Sequence, residues 1–525
     1  MRLVRSLPLL AVALAVLLPA GSASALSYPV TSTADTDSKG TLRGSIEEAN
    51  AHMGPDSIPI EVTGTIELAS ALPGIGDDLT ITGPGAASLT VARKPSAPPF
   101  TVLQFFGSTA TVSGITISGG LSNTGAGILN ASGELTLVRV KVSRNEAVSE
   151  TGGLAGGGGI FSNGTLTLRE SLVTENFSVS SGGTENVAVG GGVETEGTLF
   201  VELSTISDNR VEALAGGEAK AEAIGGGLAV ALSSSTTIVE ESTISGNVVL
   251  AADATDFAVA RGGGIGGGTV NITGSTIADN GAELDAAGAS ISSAAGDNLA
   301  VPNTGIVRNS LVAVPGGEGK NCANGLVSGG FNLDEDGSCG FAKSSDLTEV
   351  SAGLDPLLRD NGGPTPTHAL LPGSIAIDRG NSFGSSVDQR GLPRPSDFPE
   401  ISNKEGGNGS DIGAFELQVP PPPGAGAPVL VSQTPGDTTA PNTRIVKGPP
   451  RSTFKTKAKF RFASTEPQSH FQCKLDKKKW KACGNPFKPT VKPGKHVFKV
   501  RAIDRFGNVD PTPARFGWRV KPLGG

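Results

Sequence analysis

Polar residues with the potential for acid–base chemistry recur through the middle of the chain at nearly constant spacing. The residue before each of five spaced asparagines is Arg144, Glu175, Asp208, Gly246 or Asp279. Glycoside hydrolysis needs two carboxyl groups flanking the scissile bond, and eliminative cleavage needs a base, often beside Ca²⁺ held by clustered acids. A column of this composition fits the rim of a groove. It fits a solvated edge better, and we favour that interpretation.

Histidine is nearly absent from the region that carries this column. None of the four histidines falls between His52 and His368, which removes the commonest general acid–base from about 315 consecutive residues. The isolated pair Asp77–Asp78 has the character of a turn. His368, in "PTPTHALL", is interpreted as a structural hydrogen-bonding residue rather than a ligand. We therefore predict no catalytic residue and no cofactor, and an enzyme is the less favoured interpretation.

Four cysteines form two close pairs, Cys322 with Cys339 and Cys473 with Cys483. Neither pair has CxxC spacing and no histidine stands beside one, so the pattern favours disulfides in an exported protein over a metal site. The acidic stretch "NLDEDGSCG" (332–340) lacks the Glu that ends a Ca²⁺-binding EF-hand loop. We interpret it as a polar turn closed by a disulfide.

A repeat of 31 to 38 residues organises the middle of the chain. It is marked by five asparagines: Asn145, Asn176, Asn209, Asn247 and Asn280. Three residues before them the chain has Val142, Val173, Ile206, Ile244 and Ile277, and further aliphatic columns stand eight and ten residues before. A glycine cluster closing on one aliphatic residue precedes each unit, as in "GGGGI" ending at Ile160. Three short strands per unit, with stacked aliphatic residues, predict a parallel β-helix.

Two roles are predicted for the asparagines and one for the segments that follow them. Each Asn would adopt a left-handed backbone that turns the chain, and its amide would bond to the Asn of the coils on either side, forming a buried ladder. The variable segments after each Asn are interpreted as loops leaving one edge and presenting a binding surface. Their Ala and Val content leaves extra rungs of the solenoid as the alternative for some of them.

The ends of the chain divide it into further segments. Residues 1–25 resemble a signal peptide, with Arg2 and Arg5 before an apolar run and cleavage after Ala25; no later stretch is predicted to cross a membrane. We predict a β-helix with an N-terminal cap over 26–341, its coils starting near Ile58, and a capping segment over 342–418. A Pro/Gly-rich linker over 419–442 and a small β-sandwich over 443–525 complete the chain.

Charge is segregated between these segments. From Thr443 onward there are 21 lysines and arginines and 4 aspartates and glutamates, a net charge of +17, whereas the preceding residues carry 21 and 46, a net of −25. A module this basic predicts binding to an anionic cell-envelope polymer or polysaccharide, with a simple solvated surface as the alternative. Nucleic acid is excluded as a partner of an exported module whose aromatic residues alternate as core. Trp480, in "KLDKKKWKAC", either packs inward or stacks on a sugar.

Three motifs resemble those of a known family: "DPLLRDNGGPTPTHALLPGSIAIDRGN" (355–381), "DQRGLPRP" (388–395) and "DIGAFE" (411–416). Together they resemble the choice-of-anchor Q family of bacterial surface proteins. "TLRGSIEEAN" (41–50) is similar to the CSLREA segment that opens many such proteins, although its cysteine is absent and Gly44 replaces the usual Glu. The C-terminal module resembles bacterial Ig-like domains.

The resemblance implies an exported protein with a right-handed parallel β-helix, and it brings no catalytic residues. Asp378, Asp388, Arg390 and Asp411, within the motifs, are predicted to pair with one another and to close the end of the solenoid, where strand edges would otherwise be unpaired. The sequence thus predicts an all-β protein: a right-handed parallel β-helix followed by an Ig-like β-sandwich. It would serve as an adhesive or structural surface protein. A polysaccharide lyase or glycoside hydrolase is the alternative, and the oligomeric state is open.

Overall fold

The computed structural model divides into two units, residues 1–419 and 420–525. It describes residues 25–419 apart from 218, 233, 286–288, 303–304, 314–318 and 325, and residues 441–521 apart from 450, 454, 465–469, 485 and 504–508. The predicted signal peptide up to Ser24 and nearly all of the predicted linker lie outside these residues. Within them, no helix combines the length and hydrophobicity of a membrane span.

The first unit is a parallel β-helix, as predicted, whose coils contribute in turn to three sheets. The first sheet contains Asp56–Pro59, Leu79–Thr82, Thr109–Ser113, Glu134–Val138, Thr165–Arg169, Thr198–Glu202, Thr236–Glu240, Thr269–Thr273, Ile306–Arg308 and Val327–Gly330. The second contains Gly64–Leu68, Leu89–Arg93, Thr116–Ser118, Lys141–Ser143, Leu172–Thr174, Thr205–Ser207, Thr243–Ser245, Thr276–Ala278, Leu311–Ala313, Leu333–Asp334 and Leu347–Thr348. The third contains Leu103–Phe106, Ile128–Ala131, Ile160–Ser162, Val193–Thr195, Leu228–Val230, Ile265–Gly267 and Leu299–Ala300.

The aliphatic columns form the interior of the coils. Val173 lies in register with Val142 on one side and Ile206 on the other, and the columns eight and ten residues before each Asn are in register likewise. These side chains are buried in one continuous core. Each fully buried aliphatic side chain contributes roughly 1.5–3 kcal/mol, so the stacked aliphatic columns make a large contribution to the stability of the coils.

The five asparagines lie in a continuous buried ladder. The Asn176 Nδ2 donates to Asn209 Oδ1 at 2.9 Å and to the Val142 carbonyl at 2.9 Å, and the Asn176 backbone N–H also donates to Asn209 Oδ1. The same pattern links Asn209, Asn247 and Asn280. Beyond Asn280 the ladder continues through Asn298 and Asn321 to Asp334. Each of the repeat amides thus bonds to the coils on either side.

The predicted left-handed backbone belongs to a different residue. The residue before each Asn turns the chain, with φ between 55° and 69° at Arg144, Glu175, Asp208, Gly246 and Asp279, while the asparagines themselves keep negative φ. The prediction was wrong because each Asn directs its own N–H at the next Asn, which leaves the turn to its neighbour. This geometry accounts for the mixed composition of the preceding column, since only its backbone is constrained.

The ladder also accounts for one glycine of each cluster. The last glycine of each cluster lies against an asparagine amide: a Cβ on Gly192 would stand 2.9 Å from Asn209 Nδ2 and 2.6 Å from the Gly227 carbonyl. Equivalent close approaches occur at Gly127, Gly159, Gly227 and Gly264. A side chain at this position would therefore displace the ladder.

A second ladder of serines, not predicted from the sequence, runs along the turn between the first and second sheets. The Ser171 N–H donates to Ser204 Oγ at 3.0 Å, Ser204 N–H to Ser242 Oγ, and Ser242 N–H to Ser275 Oγ, ending at Ser310. These serines stand five residues before the asparagines. Each coil thus has two polar corners satisfied by side chains of the next coil.

The segments after the asparagines are strands and not loops, so the main interpretation was wrong. They are not extra rungs either, because they form two sheets of their own beside the coils. A fourth sheet contains Leu121–Ser122, Glu146–Ser149, Phe177–Ser181, Arg210–Gly217, Val248–Ala254 and Gly281–Asp285. A fifth contains Gly153–Gly156, Glu185–Val189, Lys220–Ile224, Phe257–Arg261 and Ile291–Ala295. We call these two sheets the fin. Its core is almost entirely alanine, including Ala213, Ala221 and Ala251, because short side chains let two sheets pack closely.

The two ends of the coil are built differently. At the N-terminal end, the helix Leu42–Asn50 is capped by Thr41 and packs Leu42, Ile46 and Ala49 against the core of the coils. At the other end, the predicted Cys322–Cys339 disulfide is confirmed, with an S–S distance of 1.98 Å. Beside it, Asp334 accepts from the Cys339 N–H. "NLDEDGSCG" is therefore a disulfide-closed turn.

The second unit is a small β-sandwich. Thr443–Lys447 pairs with Arg461–Ser464, and a five-stranded sheet contains Ser452–Thr453, Ala514–Val520, Gly494–Ile503, His470–Leu475 and Lys481–Ala482 in that spatial order. Phe460, Phe498 and Trp518 form its buried aromatic centre. The predicted Cys473–Cys483 disulfide is confirmed at 2.03 Å.

Replacing Asn209 by alanine tests the ladder. Asn209→Ala removes the acceptor of two Asn176 N–H groups and leaves them buried, so we expect a loss of about 2–4 kcal/mol in unfolding free energy. The denaturation midpoint, followed by circular dichroism, measures it. The matched control is Asn163→Ala, which removes one exposed hydrogen bond and should change the midpoint little. Equal midpoints for both variants would contradict a stabilising ladder.

Candidate functional site

The family-like segment lies along the outer face of the second sheet and not across the end of the solenoid. We call residues 350–418 the strap. Gln389, fully buried, accepts from Thr243 Oγ1 at 2.6 Å and donates to Thr205 Oγ1 at 2.8 Å. The Ala414 N–H donates to Thr276 Oγ1. The prediction of an end cap was wrong in location, because the hydroxyls on the flank of the coils bind this segment.

His368 has the structural role predicted for it. Its Nδ1 lies 2.8 Å from the Asp355 carbonyl, which only accepts, so Nδ1 carries the hydrogen and Nε2 accepts from Ser245 Oγ at 2.7 Å. Burial lowers the pKa of His368, which keeps the ring neutral. This histidine fastens the strap to the coil.

The four predicted charged residues of the strap are held in two pairs. The Arg390 guanidinium bonds to Asp388 at 2.7 Å, and Asp411 Oδ1 accepts the Asp378 N–H at 2.9 Å. Asp378 and Asp411 are both acids, and they meet only through the backbone N–H of Asp378. All four order the turns of the strap.

A buried arginine that the sequence did not reveal joins the strap to the coils. The Arg394 side chain is fully buried between Glu241 of the coil and Glu416 of the strap, at 2.9 Å from Glu416. Burial acts to lower the pKa of Arg394, but these two carboxylates raise it overall. Burial acts to raise the pKa of Glu241, and the positive charge of Arg394 opposes this rise. Glu241 and Arg394 are 153 residues apart, so no local pattern could pair them.

Beside Pro364 of the strap, a groove lies over the outer face of the second sheet. It has two connected parts of about 660 and 440 Å³ that share Arg139, Glu170 and Pro364. Residues 85–87 line one side and Pro364 of the strap lines the other. The remaining lining residues of the larger part are Thr90, Thr116, Ser118, Val140, Lys141, Ser143, Arg144 and Leu172.

The groove carries more positive than negative charge. Arg139 pairs with Glu170 at 2.6 Å and Arg144 with Glu175 at 2.7 Å, each between neighbouring coils, and both arginine side chains are about 70 % exposed. Lys141 lies between them on the second sheet, in register with Thr116 and Leu172. Of the predicted polar column, the structure thus brings Arg144 to the groove.

The carboxylate that lines the groove is Glu170, which is paired with Arg139. A hydrolase needs a second carboxyl group across the bond, and the groove lining does not supply one. Nowhere in the described part of the chain are three His, Cys, Asp or Glu side chains grouped to hold a metal ion. The site is therefore better suited to binding an anion than to acid–base catalysis.

A buried carboxyl group of unusual acidity lies elsewhere in the coil. Glu194, on the third sheet, is 2 % exposed, and its Oε2 has no hydrogen-bond partner. Burial, with a smaller contribution from Glu196, raises the pKa of Glu194 to about 8. Gly156 of the fin lies directly against its Oε2. Glu194 is neutral below that pH and is closed off from solvent.

The second candidate surface is the outer face of the five-stranded sheet in the C-terminal module. Lys474, Lys499 and Arg515 lie directly opposite one another on three adjacent strands, and Lys495 lies opposite Arg519. Directly opposed like charges destabilise a sheet. The two carboxylates in the described part of the module are engaged in its fold: Asp476 binds His496 and Val497, and Asp510 binds Thr443. This cationic face is therefore left without a neutralising carboxylate among the described residues.

Trp480 lies at the edge of the cationic face. The Arg501 guanidinium is 4.6 Å from its ring centroid and Lys474 Nζ is 6.0 Å from it. The ring is half-buried, and the module core is built without it. Of the two predicted roles, inward packing is excluded.

No protein-family model matches the chain, and no curated protein matches it significantly. The resemblance carried by residues 355–416 remains a prediction.

The titration of Glu194 makes the stability of the coil depend on pH. The pKa of Glu194 in the folded state lies above its ordinary value of 4.5, so the folded protein binds this proton more tightly than the unfolded chain does. The free energy of unfolding therefore falls as the pH rises from about 4.5 to 8, by up to about 1.4 kcal/mol per pH unit. We expect Glu194→Gln to match the parent melting temperature near pH 4.5 and to exceed it at pH 9. Glu202→Gln, on a neighbouring strand, is the control. A parent and variant that melt together at pH 9 would contradict a buried titrating carboxyl group.

Proposed function

We propose that this chain is an exported bacterial surface or secreted protein whose β-helix is a rigid adhesive or structural scaffold, and whose C-terminal module binds an anionic polymer of the cell envelope. The observation that carries the proposal is the row of opposed cations Lys474, Lys499 and Arg515. Like-charge pairs in this geometry cost roughly 0.2–1 kcal/mol each, a cost that an anionic ligand removes.

Three further features support the proposal. The two disulfides are typical of an oxidising, extracellular compartment. Repeated cations on a flat sheet match a polymer with repeated anions, since many weak contacts combine through multivalency. Trp480 beside the cations supplies an apolar surface for a sugar ring.

A polysaccharide lyase or glycoside hydrolase is the second candidate. It is favoured by one observation, the groove that bears Arg139 and Arg144 across adjacent coils. Cleavage shortens the polymer and binding does not, so polymer chain length separates the two functions.

Retention of the full chain on immobilised polyglycerol phosphate and polygalacturonate tests the proposed function, with dextran as the neutral polymer. We expect Lys474→Thr, Lys499→Thr and Arg515→Thr together to weaken retention about tenfold and to flatten its salt dependence, because fewer counterions are displaced. The charge-matched control is Lys455→Thr, Lys457→Thr and Lys459→Thr, three exposed lysines of the same module outside this face.

Three outcomes decide the test. Loss restricted to the cationic-face variant, with a melting temperature equal to or above that of the parent, supports binding by this face. Equal losses in both triple variants would show attraction by net charge alone and contradict it. Shortening of the polymer would contradict the binding proposal and would favour the lyase or hydrolase.

A further inference from the structure

The outward face of the second sheet carries two columns in which most residues are threonine or serine. One column runs through Thr90, Thr116, Lys141, Leu172, Thr205, Thr243 and Thr276, and the other through Ala92, Ser118, Ser143, Thr174, Ser207, Ser245 and Ala278. Lys141 and Leu172 interrupt the threonines, and both lie in the groove. The face is therefore a flat, hydroxyl-bearing surface with one cation near its centre.

The strap shows how this face binds an extended polar chain. Over the later coils, the hydroxyls of Thr205, Thr243 and Ser245 bond to Pro366, Gln389 and His368 of the strap. These contacts are polar, and they recur from one coil to the next. The strap thus covers the later half of the face as far as Pro364. Pro364 also lines the groove, which lies over the earlier half.

The earlier half of the face is the floor of the groove. Four strands cross it, at Thr90, Thr116, Lys141 and Leu172, and their spacing of about 4.8 Å gives a floor of roughly 15–20 Å along the solenoid axis. One wall is held in place by the Thr116 hydroxyl, which donates to the Ala86 carbonyl at 2.6 Å. The rung spacing is close to the length of one sugar residue.

From these contacts we propose that the groove binds an acidic oligosaccharide of about three or four residues, laid along the coils as the strap is. Lys141 binds a carboxylate of the ligand at the centre of the floor, and Arg139 and Arg144 lie at the turns on either side. Thr90 and Ser118, which are partly exposed, offer hydroxyls to the sugar hydroxyls. Because no aromatic ring lines the groove and nucleic-acid bases are bound by stacking on such rings, the lining favours a sugar over a nucleotide.

Calorimetric titration with tetragalacturonate tests the site. The full chain carries the three cationic-face substitutions throughout, so that the module does not contribute to binding. Lys141→Thr supplies the residue type of the preceding coil at this position and should fold normally. The charge-matched control is Lys220→Thr, in the fifth sheet.

We expect the tetramer to bind in this background, its methyl ester to bind at least about tenfold more weakly because it has lost its charge, and Lys141→Thr to weaken binding of the acid by a similar factor. Lys220→Thr should bind as the parent does. No binding in the cationic-face background, equal binding of acid and ester, or no effect of Lys141→Thr would each overturn the groove assignment.

The two proposals fail separately. The groove assignment stands if the tetramer binds here even when polymer retention proves independent of the cationic face. Shortening of the tetramer that is lost in Lys141→Thr would keep the groove as the site and overturn the binding-only function.

Discussion

The buried asparagine ladder is the constraint on which the rest of the first unit depends. Each amide bonds to the next amide and to the carbonyl of the previous coil, so the coils are fixed at one spacing and in one register. The ladder fills the corner between the second and third sheets. The residue just before each strand of the third sheet is glycine, because a Cβ at that position would lie too close to the asparagine amide. The preceding residue has to turn the chain with positive φ. Three features of the repeat therefore follow from one hydrogen-bonded column.

A fixed register has consequences on the outside of the coils. Because the strands stack without slipping, small hydroxyl residues form straight columns on the second sheet, and the strap binds them at Thr205 and Thr243. The same columns continue beneath the groove, where Lys141 replaces a threonine. The fin depends on the register too, since two sheets with alanine between them pack only if every coil places its short side chains at the same level. The cationic face belongs to the separate C-terminal module, and it provides binding through charge instead of through a repeated shape.

The features that repeat along the chain could be predicted from the sequence, and those that join distant segments could not. Asn209 and Ile206 belong to columns with a measurable period, which is why the β-helix and its stacked interior were found. The serines at Ser204 and Ser242 have the same period but resemble ordinary strand residues. The pattern of the fin segments favours loops, because alanine carries little hydrophobic signal. Gln389 and Thr205 are 184 residues apart. No local pattern in the sequence therefore predicts where the strap binds or that a groove lies beside it.

The most direct test of this account is a double-mutant cycle between Asn209→Ala and Gly192→Ala, measured as unfolding free energies. If the glycine is required because the asparagine amide occupies the corner, removing the amide makes room for the new Cβ. The cost of Gly192→Ala should then fall by about 1 kcal/mol or more in the Asn209→Ala background, with the remaining cost set by the Gly227 carbonyl. Additive costs would show that the glycine column and the ladder are independent, and would contradict the claim that one interaction shapes the repeat.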